Sequence, residues 1–291
     1  MVDKMIKTLQ QAISDGIKEN TVYNCDCLNL MELMKQGSID LIYIDPPFGI
    51  KKDDNFGDSY NIESNDSSNG CDDIFKMSLL KQREQRFVRF LYDRLILMKS
   101  LLKETGSIYV HLDWHVGHYV KLIMDDIFGK EKFRNEVIWC YTGPGRQQKD
   151  FPDKHDVIYR YSKSDNYIFN FDNIRIPYVK LDTGKTHGIF KKQALLNERG
   201  KIPEDWWSDI TPVARLHATE LLNYGTQKPE ALLERIIKAS SNEGNLVTDF
   251  FCGSGTSCAV SEKLDRRWIG CDLNKKACEI TENRIKNIRN R

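Results

Sequence analysis

The sequence predicts an α/β fold: a doubly wound mixed sheet with a small inserted region. Three observations point there. Short apolar runs of strand length alternate with longer segments whose apolar residues recur at helical spacing. A glycine turn joins one of those runs directly to a helix near the carboxyl end. Between them, two runs with period-two alternation follow one another without a helix, which marks an antiparallel pair within an otherwise parallel design.

Residues 1–20 scatter charges among short apolar steps, without a continuous apolar stretch or a small-residue cleavage site, and predict a helix rather than a secretion signal. Residues 40–45 form a buried strand that must stop at Asp45-Pro46-Pro47-Phe48, because two prolines cannot continue sheet pairing. Residues 51–73 turn to Asp, Asn, Ser and Gly with few apolar anchors, the composition of a mobile loop placed to act as a lid. Phe87, Phe90, Leu91, Leu95, Met98 and Leu102 then repeat at helical spacing over 83–103, with Gly106 just beyond, and 107–112 is the next buried strand. A helix over 115–128 precedes the alternating strands 135–141 and 156–161.

The stretch 164–223 is the least periodic, mixing Tyr167, Phe169, Phe171, Tyr178, Trp206 and Trp207 with Arg175, Lys180, Lys185, Lys191 and Lys192, and reads as an insertion or small second domain. Of its two tryptophans, a core role is expected over a DNA wedge. Helical spacing returns over 229–239, followed by strand 246–251, helix 256–264, strand 268–272 and helix 275–288. The chain therefore divides into 1–163, 164–223 and 224–291, the first and last being halves of one domain.

With 291 residues and 40% hydrophobic content the chain can bury a large core, and its apolar runs are too short to span a membrane. Lys and Arg total 43 against 42 Asp and Glu, so any nucleic-acid surface must come from local charge segregation. The eight cysteines sit singly or inside apolar runs, which predicts reduced thiols in a cytoplasmic protein. Cys25 and Cys27 are too close to chelate as a pair and no CxxC occurs, so no metal is expected.

Phe251-Cys252-Gly253-Ser254-Gly255-Thr256 lies between a strand and a helix, where glycines permit a tight turn and close approach to a ligand. Cys258 stands where a dinucleotide fingerprint needs its third glycine, which counts against a pyrophosphate cofactor. Asp272 ends the next strand, placed to accept from ribose hydroxyls; together these features describe an adenosine pocket. Asp249 could accept from an amino group or merely cap the loop. Lys228, with the helix start after Thr226, could bind a carboxylate, while capping by Thr226 is the plainer alternative.

Asp45-Pro46-Pro47-Phe48 makes chemical sense for a planar amine on a heteroaromatic ring, whose nitrogen lone pair is delocalised. A carboxylate and a backbone carbonyl accepting from the amine would localise that pair and turn it toward the electrophilic methyl of a sulfonium. The prolines fix the carbonyl, so orientation supplies the catalysis, and Phe48 can stack on a base flipped from its duplex.

The order of these segments, Asp45–Phe48 first, Thr226–Pro229 between and Phe251–Thr256 last, resembles the β-type amino-group DNA methyltransferases, a likeness that covers nearly the whole chain. It implies the fold of S-adenosylmethionine-dependent methyltransferases, S-adenosyl-L-methionine as cofactor, double-stranded DNA as substrate and 164–223 as the target-recognition region. Residues 23–28, 106–113 and 135–139 also look like family motifs. By this likeness Asp26 lies near the cofactor's adenine, and the cofactor set comprises Asp26, Cys27, Asp45, Thr226, Lys228, Asp249, Phe250, Phe251, Cys252, Gly253, Ser254, Gly255, Thr256, Asp272 and Leu273, with Asp45, Pro46, Pro47 and Phe48 catalytic. The family more often has Tyr where this chain has Phe48, a change that keeps stacking but loses a hydroxyl. Asp at the head of the tetrapeptide resembles the adenine enzymes, whereas many cytosine-amine enzymes have Ser. Methylation at cytosine carbon needs a nucleophilic cysteine, and the Pro-Cys dipeptide of those enzymes is absent.

Lys51, Lys52, Arg146, Lys149 and Lys154 are candidate phosphate contacts. His155 beside Asp156 suggests a catalytic dyad, but methyl transfer from a sulfonium needs no strong base and a structural bond is the better reading. Competing readings are a cytosine-N4 enzyme, an RNA or protein-glutamine methyltransferase, a catalytically idle DNA-binding subunit and a nicotinamide dehydrogenase. The family likeness also leaves open a homodimer and a cognate restriction endonuclease.

Overall fold

The computed structural model describes residues 5–47, 82–143, 148–178, 197–213, 220–222 and 224–290. Among these residues nine strands form one sheet: β1 (Ile6–Thr8), β2 (Thr21–Asn24), β3 (Ile39–Ile44), β4 (Leu102–Asp113), β5 (Phe133–Cys140), β6 (His155–Ser162), β7 (Trp206–Trp207), β8 (Leu246–Asp249) and β9 (Arg267–Asp272). Their spatial order is β1-β2-β9-β8-β3-β4-β6-β5-β7. The strands from β1 through β4 in that order run parallel, and β6 then pairs antiparallel with both β4 and β5.

The α-helices among the described residues are α1 (Leu9–Asp15), α2 (Cys27–Glu32), α3 (Gln82–Leu101), α4 (Gly117–Phe128), α5 (Glu230–Ser240), α6 (Thr256–Lys263) and α7 (Lys275–Arg289). They explain why β3, Ile-Asp-Leu-Ile-Tyr-Ile, is buried at every position: both faces of the sheet are covered. On one face Phe87, Leu91, Leu95 and Met98 of α3 pack with Ile42, Ile44 and Val110. On the other, Leu232, Leu233, Ile236 and Ile237 of α5 meet Leu41, Tyr43 and Val247. Strand alternation sends Asp45 to this second face, in step with Leu41 and Tyr43.

Asp40 is the exception in β3, a carboxylate at 3% exposure. It accepts from Lys103 Nζ at 2.8 and 2.9 Å and from the Leu246 N–H at 2.9 Å, joining β3, β4 and β8 at the amino edge. Asp40→Ala strands the buried Leu246 N–H and is expected to cost about 1–3 kcal/mol of stability, measured by chemical denaturation. An unchanged midpoint would contradict this role.

The amino-terminal expectation needs correction. In place of one helix over 1–20, β1 pairs with β2 and, among the described residues there, only Leu9–Asp15 is helical, started by a capping box between Thr8 and Gln11. β2, just before Asp26, was not anticipated either. The expected strand over 246–251 ends at Asp249. Within the described part of 164–223, β7 joins β5 in the main sheet. Asn170 binds the carbonyls of Lys238, Ala239 and Ser241 at the end of α5. Tyr167 and Phe169 pack on the guanidinium of Arg160 in β6, at 5.0 and 4.3 Å. Trp207 enters the core at 6% exposure, while Trp206 lies outside at 55%.

Candidate active site

Parallel strands present their carboxyl ends along one edge, where α/β proteins bind ligands. Five carboxylates gather along it: Asp26 after β2, Asp45 after β3, Asp113 ending β4, Asp249 ending β8 and Asp272 ending β9.

Between β8 and α6, the chain turns through Gly253 and Gly255, both in the left-handed region with φ of 50° and 69°. A Cβ on Gly255 would lie 2.5 Å from the Thr281 side chain, and one on Gly253 would meet the Tyr224 ring at 3.2 Å. Hydrogen bonds fix the turn from every side. Asp272 accepts from the Gly253 N–H at 2.9 Å and the Asn274 N–H at 2.8 Å, and the Thr281 hydroxyl donates to the Gly253 carbonyl. Arg284, buried beneath, donates to the Ser254 carbonyl and Thr256 Oγ1 and is neutralised by Glu230 at 2.8 Å. Gly255→Ala combines steric contact with backbone strain and is expected to cost about 1–3 kcal/mol, read by thermal melting. Retention of the wild-type midpoint would refute the argument.

Asp249, at 4% exposure, accepts from the Phe251 N–H at 3.0 Å and from the Ser257 hydroxyl. Its carboxylate is thus engaged in holding the loop. Burial raises its pKa to about 7, against the partial relief of those two bonds. The folded protein therefore takes up a proton here that the unfolded chain binds only at lower pH, so this group's penalty is present above pH ~7 and is relieved as pH falls toward ~4. The stability difference between wild type and Asp249→Asn should shift in favour of the wild type as pH is lowered from 8 to 5. A difference independent of pH would show that Asp249 titrates normally.

Asp26 caps α2 through the Leu28 N–H and binds Arg94 Nη2 through both oxygens at 2.9 Å. Arg94 stacks on Phe90, whose ring packs against Phe251 at 6.0 Å. Cys27 and Phe250 are core residues beneath the edge, and burial pushes the Cys27 thiol up to about 12. Cys252 is buried too, and the Leu273 carbonyl accepts from Asn24. Thr226 is exposed and leaves the helix cap to Pro229.

Lys228 is ion-paired with Asp45 Oδ2, and its own carbonyl accepts from the Thr256 hydroxyl at 3.1 Å, tying the two halves of the edge together. The other oxygen, Asp45 Oδ1, is buried and has no hydrogen-bond partner among the described residues. Pro46 is buried beside it. Phe48, Lys51, Lys52, Arg146 and the expected lid over 51–73 lie outside the described residues. Lys149 is exposed, and Lys154 is half-buried, its carbonyl accepting from the Tyr141 N–H.

Asp156 bonds His111 rather than its chain neighbour His155. His111, Arg94, Arg284 and Tyr224 were not anticipated as site residues. Only Tyr224 had a signal, its place directly before the Lys228 turn; the others read as strand alternation or solvated helix faces.

A family model described as DNA methylase matches residues 39–283. Over 265 residues the chain is 31% identical to "Type II methyltransferase M1.MboII" of Moraxella bovis, covering 88% of this chain and 92% of that protein. It is 29% identical over 275 residues to "DNA adenine methyltransferase YhdJ" of Escherichia coli (strain K12), covering 93% and 84%. Among solved structures, the PvuII cytosine-N4-specific DNA methyltransferase superposes with a TM-score of 0.62 at 18% identity, covering 94% of this chain and 92% of that one. M1.HpyAVI, solved as a complex with SAM, gives 0.53 at 16% identity, covering 91% and 98%. At these identities the structural matches speak for the fold alone.

Proposed function

The chain belongs to the DNA methylase family that modifies exocyclic amino groups, and we propose that it transfers a methyl group from S-adenosylmethionine to the N6 amine of adenine in double-stranded DNA. The observation that carries the reading is Asp45 Oδ1, a buried acceptor at the carboxyl edge of the sheet without a donor among the described residues. Leaving such an atom unpaired costs about 1–3 kcal/mol, and a flipped-out amine would supply the missing donor.

The edge also fits the cofactor. The tight turn through Gly253 and Gly255 leads into α6, and each Asp272 oxygen, accepting one backbone N–H, keeps a lone pair that a ribose hydroxyl could use. When bound, S-adenosylmethionine supplies an electrophilic methyl group. The protein's part is orientation: Asp45 Oδ1 and the Pro46 carbonyl accept from the amine, draw its lone pair out of the ring and fix its direction. Lys228 keeps the other carboxylate oxygen turned away.

Asp rather than Ser at position 45, and a relative named as an adenine enzyme, favour adenine. Relatives named Type II methyltransferases support a cytoplasmic enzyme of defined sequence specificity, working beside a restriction endonuclease. No helix among the described residues is long and apolar enough to cross a membrane. Expression in a host lacking its own DNA methylases, followed by nucleoside analysis of DNA and RNA, tests substrate and base. N6-methyladenine confined to DNA is expected. N4-methylcytosine would keep the mechanism and reverse the base, and methylation confined to RNA would overturn the substrate.

A further inference from the structure

Strands β3, β4 and β6, with the residue just past β5, bring together Tyr43, His111, Asp156 and Tyr141 on the face of the sheet that carries Asp45, and none of them has a part in the chemistry above. His111 is fully buried, and both ring nitrogens are engaged: Nδ1 lies 2.9 Å from the Tyr43 hydroxyl and Nε2 2.9 Å from Asp156 Oδ2. The Tyr141 hydroxyl donates to Asp156 Oδ1 at 3.1 Å. Burial raises both phenols well above their ordinary range, so they remain donors. With the Tyr43 hydroxyl donating to Nδ1, the imidazole keeps its Nε2–H for Asp156. Burial pushes the Asp156 carboxyl up, but the hydrogen bond from His111, the nearby charge of Lys228 and the hydrogen bond from Tyr141 hold it below its ordinary value. The cluster therefore fixes one carboxylate, in ionised form, within electrostatic reach of the lysine that grips Asp45.

Apolar packing would stabilise this region at least as well as a buried polar cluster does, which points to a functional reason for it. Charge supplies one. During transfer the amine's lone pair forms the new N–C bond as the C–S bond breaks with its electrons left on sulfur. The cofactor becomes a neutral thioether and positive charge passes to nitrogen until that nitrogen releases a proton to solvent water. Asp45 and Lys228 alone sum to zero, and an ammonium beside a developing cation opposes the reaction. Resting on the methyl-transfer reading, we infer that Asp156 is a positioning residue: a fixed counter-charge that allows Lys228 to orient Asp45 while positive charge builds on the amine. Lys228 occupies the lysine position of the family motif, but Asp156 is reached only through the pairing of β4 with β6, where it lies opposite Asp113.

The test is a double-mutant cycle on single-turnover methyl transfer to DNA from pre-bound labelled S-adenosylmethionine, with cofactor Kd measured on the same samples. Asp156→Asn should slow transfer by about 10–100-fold with Kd changed less than about 3-fold. In a Lys228→Met background the same substitution should change the rate by less than about 3-fold. Tyr141→Phe, which removes one hydrogen bond, should slow transfer by about 3–10-fold and carries the test if Asp156→Asn proves unfolded. Asp156→Asn at the wild-type rate, or equal slowing in both backgrounds, would overturn the inference alone. A wild type that binds cofactor and transfers nothing to DNA would overturn the methyl-transfer reading, and this inference with it.

Discussion

Asp45→Ala is expected to lower the rate of methyl transfer by about 100–1000-fold, the cost of removing one preorganised group from a transition state. Cofactor affinity should stay within about 3-fold of wild type, because the contacts expected to bind it lie on the neighbouring strand ends. The substitution removes the buried acceptor Oδ1 and leaves Lys228, 13% exposed, without its partner oxygen. Asp45→Asn should fall between the two, since its amide keeps an acceptor but loses the charge. Single-turnover transfer with saturating cofactor reads the rate, and calorimetric titration reads the affinity. If Asp45→Ala weakened cofactor binding and transfer in equal measure, Asp45 would belong to the cofactor pocket rather than to the amine.

Asp272→Ala is expected to show the complementary pattern. Its carboxylate anchors the Gly253 and Asn274 N–H groups, and in the proposed reading it also accepts from the ribose hydroxyls. Hydrogen bonds to a charged group contribute about 1.5–3 kcal/mol, so Kd for S-adenosylmethionine should rise about 10–100-fold. The transfer rate at saturating cofactor should remain within a few-fold of wild type, ~5-fold at most. A variant with unchanged Kd would remove Asp272 from the cofactor site.

The two ends of this design differ in how much they owe to local sequence. Asp45 to Pro47 and Phe251 to Thr256 were legible because prolines and glycines punctuate strands at fixed offsets, and the structure places both segments on the same edge. The helical spacing over 83–103 was equally plain, since α3 buries a continuous apolar face. β2 was missed because Thr-Val-Tyr-Asn is too short to show a period, and its strand character comes from pairing with β1 and β9. β7 is a two-residue strand defined wholly by its neighbour β5.

Polar residues concealed more than apolar ones. Arg284 in α7 reads as a solvated helix position, yet Glu230 at the start of α5 draws it under the Gly253–Gly255 turn. His111 reads as one place in an alternating strand, and its partners Tyr43 and Asp156 come from β3 and β6. Pairing Asp156 with His155 was the natural sequence reading, but neighbours along a strand point to opposite faces, so the partner had to come from another strand. Arg94 and Asp26 make the same point, an ion pair between helices far apart in the chain.

The central claim is that this edge moves a methyl group onto a DNA amine. Its most direct test is to incubate the purified protein with methyl-labelled S-adenosylmethionine and unmethylated double-stranded DNA, digest the DNA and separate the nucleosides. Label that co-migrates with N6-methyladenine is the predicted result; a protein that binds the cofactor but leaves every DNA nucleoside unlabelled, across DNA of varied sequence, would contradict it.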